Sequence, residues 1–356
     1  MLGRIGYNRL VVFDTVVKGR AMRVLVTGGG GFLGQAICQQ LVAAGHDVCA
    51  FNRNRYPALD ELKIEQRMGD VANLDSVSAA AEGVDAIVHT AGKVGGWGRL
   101  EDYYETNVRG TDIVLAACEL QHVRKLVFTS SPSVVHNGTD LEGVNESAPY
   151  ATHFSSAYAQ TKALAEQRVL AANSEQLATV ALRPHFIWGP GDPNLLPRIL
   201  EQARRGRLRL IGNKPKKIDT TYVDNAAQAH VLALNKLEIG SAIAGKTYFI
   251  SQGEPITHEA LINAWLKAAG LPPETRHLPL GLANFMGTAL ETIYTALRIQ
   301  REPPLTRFSV EMLSTAHWFN IAAARRDLGY APHVSMSEGM ARLSQHLVRT
   351  RMQQRG

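Results

Sequence analysis

Short apolar runs alternate with longer helix-prone stretches along the chain from residue 22 onward. The runs at residues 23–26, 47–51, 86–89 and 125–129 are predicted strands, and residues 32–44 are a predicted helix. These runs are apolar throughout instead of alternating with polar residues, as is typical of parallel strands covered on both faces. The pattern predicts an α/β fold in which a doubly wound parallel sheet has helices on both sides.

The rhythm changes after Arg183-Pro184, where prolines become frequent and the predicted strands become isolated. We expect a core at residues 22–185 and a smaller C-terminal lobe at residues 186–350, interleaved with the last sheet strands. The first 21 residues are expected to be a disordered extension or the result of a misassigned start codon, because Met22 opens the first strand. The apolar stretch at 278–305 has two readings, simple lobe packing or a lid over an apolar substrate.

The composition favours a folded protein of a reducing compartment, and we expect it in the cytoplasm. Of 356 residues, 45% are hydrophobic and 20% charged, which is enough apolar material for a core. The three cysteines form no CxxC pair and the histidines show no metal-ligand spacing, so neither disulfides nor a metal site are expected. The N-terminal stretch is too short and too polar for a signal or membrane helix.

The positive charge does not by itself indicate nucleic-acid binding. Of the formal charge of +6, half lies within the first 21 residues. The other basic clusters, such as Arg204-Arg205 and the lysines at 214–217, are short and have no interleaved aromatic residues. They are interpreted as solvated surface.

A glycine-rich segment, TGGGGFLG, follows the first predicted strand and opens the first predicted helix. Gly28 permits the tight turn, Gly31 lets the backbone approach a pyrophosphate, and Gly34 lets the helix pack closely. The amides at the helix start, those of Phe32 and Leu33, can then bind an anion. In this position the spacing indicates a dinucleotide-binding loop.

The end of the second predicted strand bears on the choice of dinucleotide. NAD sites place an acidic side chain there to accept hydrogen bonds from the adenosine ribose. This chain has Asn52-Arg53-Asn54-Arg55 instead, so no carboxylate repels a 2′-phosphate, and Arg53 and Arg55 could pair with one. The sequence therefore favours NADP(H), with Asp70 placing a carboxylate near the adenine.

Tyr158 and Lys162 lie four residues apart in a helix-prone stretch and so share one helix face. A tyrosine hydroxyl, with a reference pKa of about 10, is a poor acid or base at neutral pH unless a cation stabilises the phenolate. Lys162 supplies that cation and can also hold the nicotinamide ribose. The pair is a candidate for proton transfer to a carbonyl oxygen.

A second hydroxyl donor is expected from the run TSSPSVV, which ends a predicted strand at the carboxyl edge of the sheet, where α/β ligand sites form. Ser131 is the first choice for orienting a carbonyl, and Ser133 is the second. Asn107, in a helical stretch, either shapes the active-site backbone, holds a water, or serves helix packing alone.

Taken in order, TGGGGFLG, GD at 69–70, NVRGT, TSSPSVV, YAQTK, YVDNAAQAH and ARRDLGYAP resemble the extended short-chain dehydrogenases/reductases. The resemblance covers Met22 to about Leu347. Within that group the chain is most similar to the 3β-hydroxysteroid dehydrogenase branch, and there to bacterial reductases of long-chain olefin biosynthesis. The resemblance implies a Rossmann core with a substrate-binding lobe.

The resemblance also implies roles for residues and partners. Tyr158 would be the general acid, Lys162 its partner and ribose anchor, and Ser131 the carbonyl-orienting donor. The dinucleotide would be held by a further set: Gly28, Gly31, Phe32, Leu33, Gly34, Asn52, Arg53, Asp70 and Lys162. The implied partners are a second copy, packed through the helices that hold Asn107 and Tyr158, and the pathway's β-lactone synthetase and β-lactone decarboxylase.

The function that the resemblance implies is NADPH-dependent reduction of a long-chain 2-alkyl-3-oxoalkanoic acid to the 2-alkyl-3-hydroxy acid. A 3β-hydroxysteroid or sterol-carboxylate dehydrogenase is the main alternative, because the same motifs permit it. A nucleotide-sugar epimerase is less favoured because such enzymes generally retain NAD. A non-catalytic NADP-sensing protein is disfavoured because both Tyr158 and Lys162 are present.

Overall fold

A seven-stranded parallel sheet forms the centre of the computed structural model, which describes residues 21–299 and 301–353. The strands of this part of the chain are β1 (Arg23–Thr27), β2 (Asp47–Asn52), β3 (Glu65–Met68), β4 (Ala86–His89), β5 (Lys125–Thr129), β6 (Leu141–Val144), β7 (Ala178–Pro184), β8 (Ile187–Trp188), β9 (Leu210–Ile211), β10 (Lys217–Ile218), β11 (Thr221–Tyr222), β12 (Lys246–Ile250), β13 (Ile256–Thr257), β14 (His277–Leu278) and β15 (His317–Phe319). The order across the central sheet is β12-β7-β5-β4-β1-β2-β3.

Helices cover both faces of this sheet. The α-helices of the described residues are α1 (Phe32–Ala43), α2 (Pro57–Glu61), α3 (Leu74–Ala81), α4 (Leu100–Tyr103), α5 (Gly110–Leu120), α6 (Ala157–Ala171), α7 (Leu195–Arg204), α8 (Val223–Lys236), α9 (His258–Ala268), α10 (Leu280–Ala296), α11 (Arg307–Ser314) and α12 (Met336–Gln353). A π-helical segment, Tyr104–Arg109, joins α4 to α5, a second one spans Ala324–Leu328, and a 3-10 turn spans Pro132–Val135.

Each strand buries side chains on both faces because successive residues point to opposite sides. Val24 and Val26 belong to the core that β1 shares with α1 and α8, whereas Leu25 belongs to the core shared with α3, α5 and α6. Two-sided burial explains the uninterrupted apolar runs. The doubly wound parallel fold predicted from those runs is confirmed.

The four strands predicted by residue number are all present, with ends that differ by at most one residue. The helix predicted at 32–44 ends at Ala43. Strand β3, with the polar sequence EQRM, lies at one edge of the sheet, which explains why it has no apolar run.

The strands after β7, except β12, lie outside the central sheet, in the region expected to form a smaller lobe. β9 pairs with β14, β8 pairs with β11, and the four strands β13-β10-β15-β6 form a small sheet of their own. This region has an apolar core of its own, to which Trp188 and Trp265 belong. Strand β12 returns to the central sheet beside β7.

The extension expected at residues 1–21 lies, apart from Ala21, outside the described residues. Within the described part of the chain, none of the helices combines the length and the apolar character needed to cross a bilayer. All three cysteines are buried and unpaired.

Candidate active site

The glycine segment forms a tight turn between β1 and α1. Gly28 has a φ of +72°, and a Cβ built at Gly34 would lie only 2.1 Å from the Gly28 carbonyl oxygen. A Cβ at Gly31 would lie 3.2 Å from the same oxygen. Side chains at Gly28 and Gly34 would therefore clash or strain the backbone, and the turn brings the start of α1 to the carboxyl edge of the sheet.

The first turn of α1 offers backbone donors at this edge. Gly31 is the N-cap and makes no side-chain cap hydrogen bond. The amides of Phe32 and Leu33 belong to the first turn of the helix, where amides lack intrahelical acceptors. An anion placed here would meet these donors and the positive end of the helix dipole.

Asn52, the last residue of β2, braces the glycine turn. Its Oδ1 accepts a hydrogen bond from the Gly30 amide at 2.7 Å. Its Nδ2 is buried and has no hydrogen-bond partner among the described residues. Since buried donors are normally paired, this unpartnered amide fits a ligand oxygen beside the turn, as a dinucleotide would supply. The ring of Tyr56 packs against Gly30 of the same turn.

The two arginines expected to bind a 2′-phosphate have different surroundings. Arg55 pairs with Asp60, with Nη2 2.9 Å from Oδ1, so it is already engaged. Arg53 is exposed and has no ion pair within the described part of the chain. Asp70 is also exposed, and its Oδ1 accepts a hydrogen bond from the Ala72 amide at 2.9 Å. Only Arg53 of these arginines is free to meet a phosphate.

Ser131 and Tyr158 are brought together at the carboxyl edge of the sheet. Ser131 follows β5 and caps the 3-10 turn, while Tyr158 lies in the first turn of α6, which Ser156 caps. The Ser131 hydroxyl lies close enough to that of Tyr158 to lower the pKa of the phenol. Ser133 lies next to them, and both its amide (3.2 Å) and its hydroxyl (3.0 Å) donate to the Ser131 Oγ.

Burial perturbs both ionisable groups of α6 in this site. Burial raises the pKa of Tyr158, and the nearby Ser131 hydroxyl opposes that rise. Burial lowers the pKa of Lys162 to about 7, against the attraction of Glu166. The Lys162 Nζ donates to the Thr129 carbonyl at 2.5 Å and lies 4.0 Å from the centroid of the Phe128 ring. A neutral phenol and a readily titrated amine thus lie one helical turn apart.

Asn107 fixes the loop that follows β4. It lies in the π-helical segment, and its Oδ1 accepts a hydrogen bond from the Lys93 amide at 2.7 Å. Its Nδ2 donates to the Lys93 carbonyl (3.1 Å) and to the Thr161 Oγ1 (3.0 Å). Of the roles expected for Asn107, the contacts match the shaping of the backbone, since they join this loop to α6.

Sequence reasoning missed Tyr103, which organises the next part of the same loop. Tyr103 is buried, and its hydroxyl lies within hydrogen-bonding distance of the carbonyl oxygens of Gly95 and Trp97, each at 3.0 Å. Its pKa is raised to about 12, mainly by burial and then by nearby Glu302 and Tyr158. No local motif marks this tyrosine, because its partners are backbone atoms.

The α10–α11 segment lies over this loop. The rings of Trp97 and Tyr294 meet edge to face with centroids 6.4 Å apart. A Cβ built at Gly96 would lie 2.5 Å from the Phe308 ring, which shows how closely α11 approaches. Both readings of the apolar stretch at 278–305 are compatible with this position.

A buried ion pair next to Lys162 was also missed. Glu166, one turn further along α6, accepts hydrogen bonds from the Nε (3.0 Å) and Nη2 (2.5 Å) of Arg183. The Tyr150 hydroxyl donates to the same carboxylate at 2.7 Å. The spacing of Lys162 and Glu166 signals a shared polar face, but only the fold reveals Arg183.

Glu311 of α11 ties the lobe to both catalytic segments. Its Oε1 lies 2.9 Å from the Nδ1 of His136, just after the 3-10 turn. The same oxygen accepts a hydrogen bond from Ser155 at 3.0 Å, just before α6. The lobe therefore contacts the chain on either side of the Ser131–Tyr158 pair.

Two open cavities, of about 640 and 560 Å³, lie elsewhere, the larger beside the edge strand β12. They share the segment around Tyr150. Neither is lined by the glycine turn, Ser131, Tyr158 or Lys162. We therefore place them outside the candidate active site.

Comparison with known proteins assigns the family. The model of the 3-beta hydroxysteroid dehydrogenase/isomerase family matches residues 25–280. A 2-alkyl-3-oxoalkanoate reductase of Stenotrophomonas maltophilia is 52% identical over 90% of this chain and 98% of its own length. A protein of the same name from Shewanella oneidensis is 47% identical over 92% of this chain and 87% of its own length. The sterol-4-alpha-carboxylate 3-dehydrogenase of Mus musculus is 33% identical over 92% of this chain and 91% of its own length.

Solved structures agree on the fold. That of gox2253 superposes with a TM-score of 0.75 at 25% identity, covering 92% of this chain and 98% of that one. MoeE5, solved with UDP-glucose and NAD, superposes with a TM-score of 0.70 at 23% identity, and the match covers 92% of this chain and 99% of MoeE5. The predicted resemblance to the 3β-hydroxysteroid dehydrogenase branch is confirmed by the family match. The chain belongs to the 3β-hydroxysteroid dehydrogenase/isomerase family, and it is a nicotinamide-dependent oxidoreductase that acts on hydroxyl or keto groups.

Proposed function

We propose that the protein reduces the 3-oxo group of a long-chain 2-alkyl-3-oxoalkanoic acid, with NADPH, in olefin biosynthesis. The observation that carries the chemistry is the proximity of the Tyr158 and Ser131 hydroxyls at the sheet edge where the glycine turn lies. The substrate class is supported by the names of the relatives from Stenotrophomonas and Shewanella.

Ser131 is better placed than Ser133 to orient the carbonyl. A serine hydroxyl has one proton and two acceptor lone pairs. The Ser131 Oγ already accepts from the amide and the hydroxyl of Ser133, which leaves its own proton for donation. In this arrangement Ser133 supports Ser131, whose proton is directed to Tyr158 or to a substrate oxygen.

Tyr158 acts as the general acid. A bound reduced nicotinamide would supply the hydride, and the Tyr158 phenol would give its proton to the carbonyl oxygen as negative charge develops there. Lys162 favours the resulting phenolate by its positive charge and anchors the ribose. Ser131 shares the developing charge, so the alkoxide does not accumulate.

The dinucleotide is held by the glycine turn and the end of β2. The first-turn amides of α1, including those of Phe32 and Leu33, would hold its pyrophosphate in the space left by Gly28, Gly31 and Gly34. The unpartnered Nδ2 of Asn52 donates to a ribose or phosphate oxygen. Arg53 would pair with a 2′-phosphate and Asp70 would lie near the adenine, and the free Arg53 supports a preference for NADP(H).

We further propose a cytoplasmic homodimer that packs through the helices holding Asn107 and Tyr158. The β-lactone synthetase and decarboxylase of the pathway would be its partners. These assignments rest on the resemblance to olefin-pathway reductases. Mass measurement of the purified protein in solution tests the dimer, and co-purification with the two enzymes tests the association.

The test of the function is NADPH consumption against 2-alkyl-3-oxo acids, 3-keto sterol carboxylates and UDP-sugars. We expect turnover of the alkyl keto acids. Activity confined to the sterols would establish the second candidate, which the relative from Mus musculus supports, and activity confined to the sugars would exclude both.

Tyr158→Phe tests the catalytic assignment. Loss of the proton donor should lower kcat by at least about 100-fold, the usual contribution of general acid catalysis, while NADPH affinity stays nearly unchanged. Affinity is measured by nucleotide fluorescence titration. Turnover close to that of the native protein would show that another group is the acid.

A further inference from the structure

An ion pair joins helix α7 to the connection between α10 and α11. The Nη2 of Arg198 lies 2.8 Å from the Oε2 of Glu302, and the two side chains are 55% and 25% exposed. Arg198 lies on the side of α7 away from the buried Leu196 and Leu200, because two residues of helix turn a side chain by about 200°. The guanidinium is therefore accessible from solvent.

The carboxylate of this pair faces the loop that follows β4. A Cβ built at Gly95 would lie 3.9 Å from the Oε2 of Glu302 and 3.3 Å from the hydroxyl oxygen of Tyr103. Burial raises the pKa of Tyr103, and the negative charges of Glu302 and Tyr158 raise it further. Glu302 and Tyr158 thus lie within electrostatic range of the same phenol, and the Arg198–Glu302 pair borders the loop beside the candidate proton donor.

The chain after Glu302 is stiff. Pro303 and Pro304 follow directly, proline fixes its own φ, and the residue before a proline is restricted to extended backbone. Thr306 then begins α11 with a capping box, in which Ser309 supplies the second hydroxyl. A short and restrained connection therefore holds the Glu302 carboxylate beside the loop.

Aromatic side chains lie along the same loop, directly after Gly95. The Phe308 ring is 2.5 Å from a Cβ built at Gly96, and the rings of Trp97 and Tyr294 meet edge to face with centroids 6.4 Å apart. Sites for small molecules typically combine such apolar walls with a few placed polar groups. A cation next to aromatic rings suits a ligand that has both a carboxylate and alkyl chains.

A 2-alkyl-3-oxoalkanoic acid has this chemistry, and its carboxylate lies close to the reacting carbon. The carboxyl carbon and the keto carbon are both bonded to C2, so the group that binds the carboxylate must lie near the donor to the keto oxygen. Arginine suits this task because its planar fork of N–H groups matches the two carboxylate oxygens. Glu302 already presents a carboxylate of this kind to Arg198.

We propose that Arg198 binds the carboxylate of the substrate, which takes the place of the Glu302 carboxylate on the guanidinium. The inference rests on the proposed function, from which it takes the substrate class. The exchange keeps the Arg198 charge paired, and the released Glu302 side chain enters the solvent that it already meets. Lys93 is another cation beside this loop, but its ammonium lacks the planar fork and lies 3.1 Å from the Oδ2 of Asp102.

The experiment compares a long-chain 2-alkyl-3-oxo acid with its methyl ester, which has no negative charge. The KM of each is measured by NADPH consumption, and we expect the native protein to have the lower KM for the acid. Arg198→Met should raise the KM of the acid at least about tenfold, as the loss of a hydrogen bond to a charged group does, and leave that of the ester nearly unchanged. Arg198→Lys, which keeps the charge without the fork, should lie between the two.

Glu302→Gln should act in the opposite direction. It removes the carboxylate that competes for Arg198, so the KM of the acid should fall by up to about fivefold, the usual limit for an exposed ion pair. If the pair served only to hold the structure, loss of either partner would impair the site in the same direction. Arg205→Met and Glu201→Gln break an exposed ion pair at the end of the same helix and should change neither KM.

Three results would overturn the proposal. They are an equal rise in the KM of acid and ester in Arg198→Met, a higher KM of the acid in Glu302→Gln, and loss of the acid preference in Lys93→Met instead of Arg198→Met. Binding of the 2-alkyl-3-hydroxy acid and its methyl ester is also titrated by calorimetry, which needs no turnover.

This second measurement separates the carboxylate site from the proposed function. Binding that prefers the acid and depends on Arg198, without turnover of the keto acid, would refute the reaction and support the site. Turnover without an acid preference that depends on Arg198 would refute the site alone. Absence of both turnover and binding would refute the proposed function together with the site.

Discussion

Replacing Glu166 with glutamine tests how strongly the buried ion pair beside Lys162 supports the active-site helix. Glu166 is 0% exposed and its partner Arg183 is 3% exposed, so neither charge is solvated. Two hydrogen bonds from Arg183 and one from Tyr150 end on this carboxylate. The glutamine side chain has nearly the same shape as the glutamate, but it carries no charge. The Arg183 guanidinium is then a buried charge without a counter-ion.

The cost of that change follows from the burial. Removing one partner of a buried ion pair destabilises proteins by about 3–5 kcal/mol. At about 2 °C per kcal/mol, the lower end of the usual range because the chain is long, the unfolding midpoint should fall by about 6–10 °C. The exposed pair of Glu201 and Arg205, with side chains 47% and 58% exposed, is the control. Glu201→Gln should cost less than about 0.5 kcal/mol.

The assay is thermal and urea unfolding followed by circular dichroism. The double variant Glu166→Gln/Arg183→Met removes the stranded charge and should recover at least about 2 kcal/mol of the loss, because replacing both charges of a buried pair is often neutral. A midpoint for Glu166→Gln within 1 °C of the Glu201→Gln value would refute the reasoning. The reasoning would also be refuted if the unfolding midpoint of the double variant were no higher than that of Glu166→Gln.

Three other changes test the cofactor loop and Lys162. Gly34→Ala places a methyl group 2.1 Å from the Gly28 carbonyl and should abolish NADPH binding in a fluorescence titration, whereas Gly281→Ala, which meets no atom within 4 Å, should leave binding intact. Arg53→Asp should raise the KM for NADPH at least about tenfold and leave that for NADH nearly unchanged, and equal effects on both would remove Arg53 from phosphate recognition. The folded pKa of Lys162, about 7, lies below its value in the unfolded chain, so burial of the cation destabilises the fold below pH 7 and this penalty vanishes as the pH approaches 10. Lys162→Met should therefore unfold later than the native protein at pH 6 to 7, with the difference shrinking to near zero by about pH 10, and a difference independent of pH would contradict the assigned shift.

The sequence by itself determined the features that depend on neighbours along the chain. Strand runs that are apolar on every residue predict two-sided burial, because successive side chains point to opposite faces. The glycines of the turn and the four-residue spacing of Tyr158 and Lys162 are equally local, since one turn of backbone sets the geometry. The fold class, the candidate dinucleotide loop and the candidate catalytic helix could all be predicted in this way.

Only the tertiary structure decided contacts between distant residues. The sequence ranks Ser131 ahead of Ser133 but does not show their contacts, and the proximity of the Ser131 hydroxyl to Tyr158 of α6 comes from the fold. Arg183 lies 17 residues from the carboxylate it neutralises, on a strand instead of the same helix. The sequence of the apolar stretch at 278–305 does not distinguish a core segment from a surface segment. Only the packing shows that one face of α10 is exposed among the described residues. Sequence patterns report which face of an element is apolar, whereas burial depends on what the rest of the chain places against it.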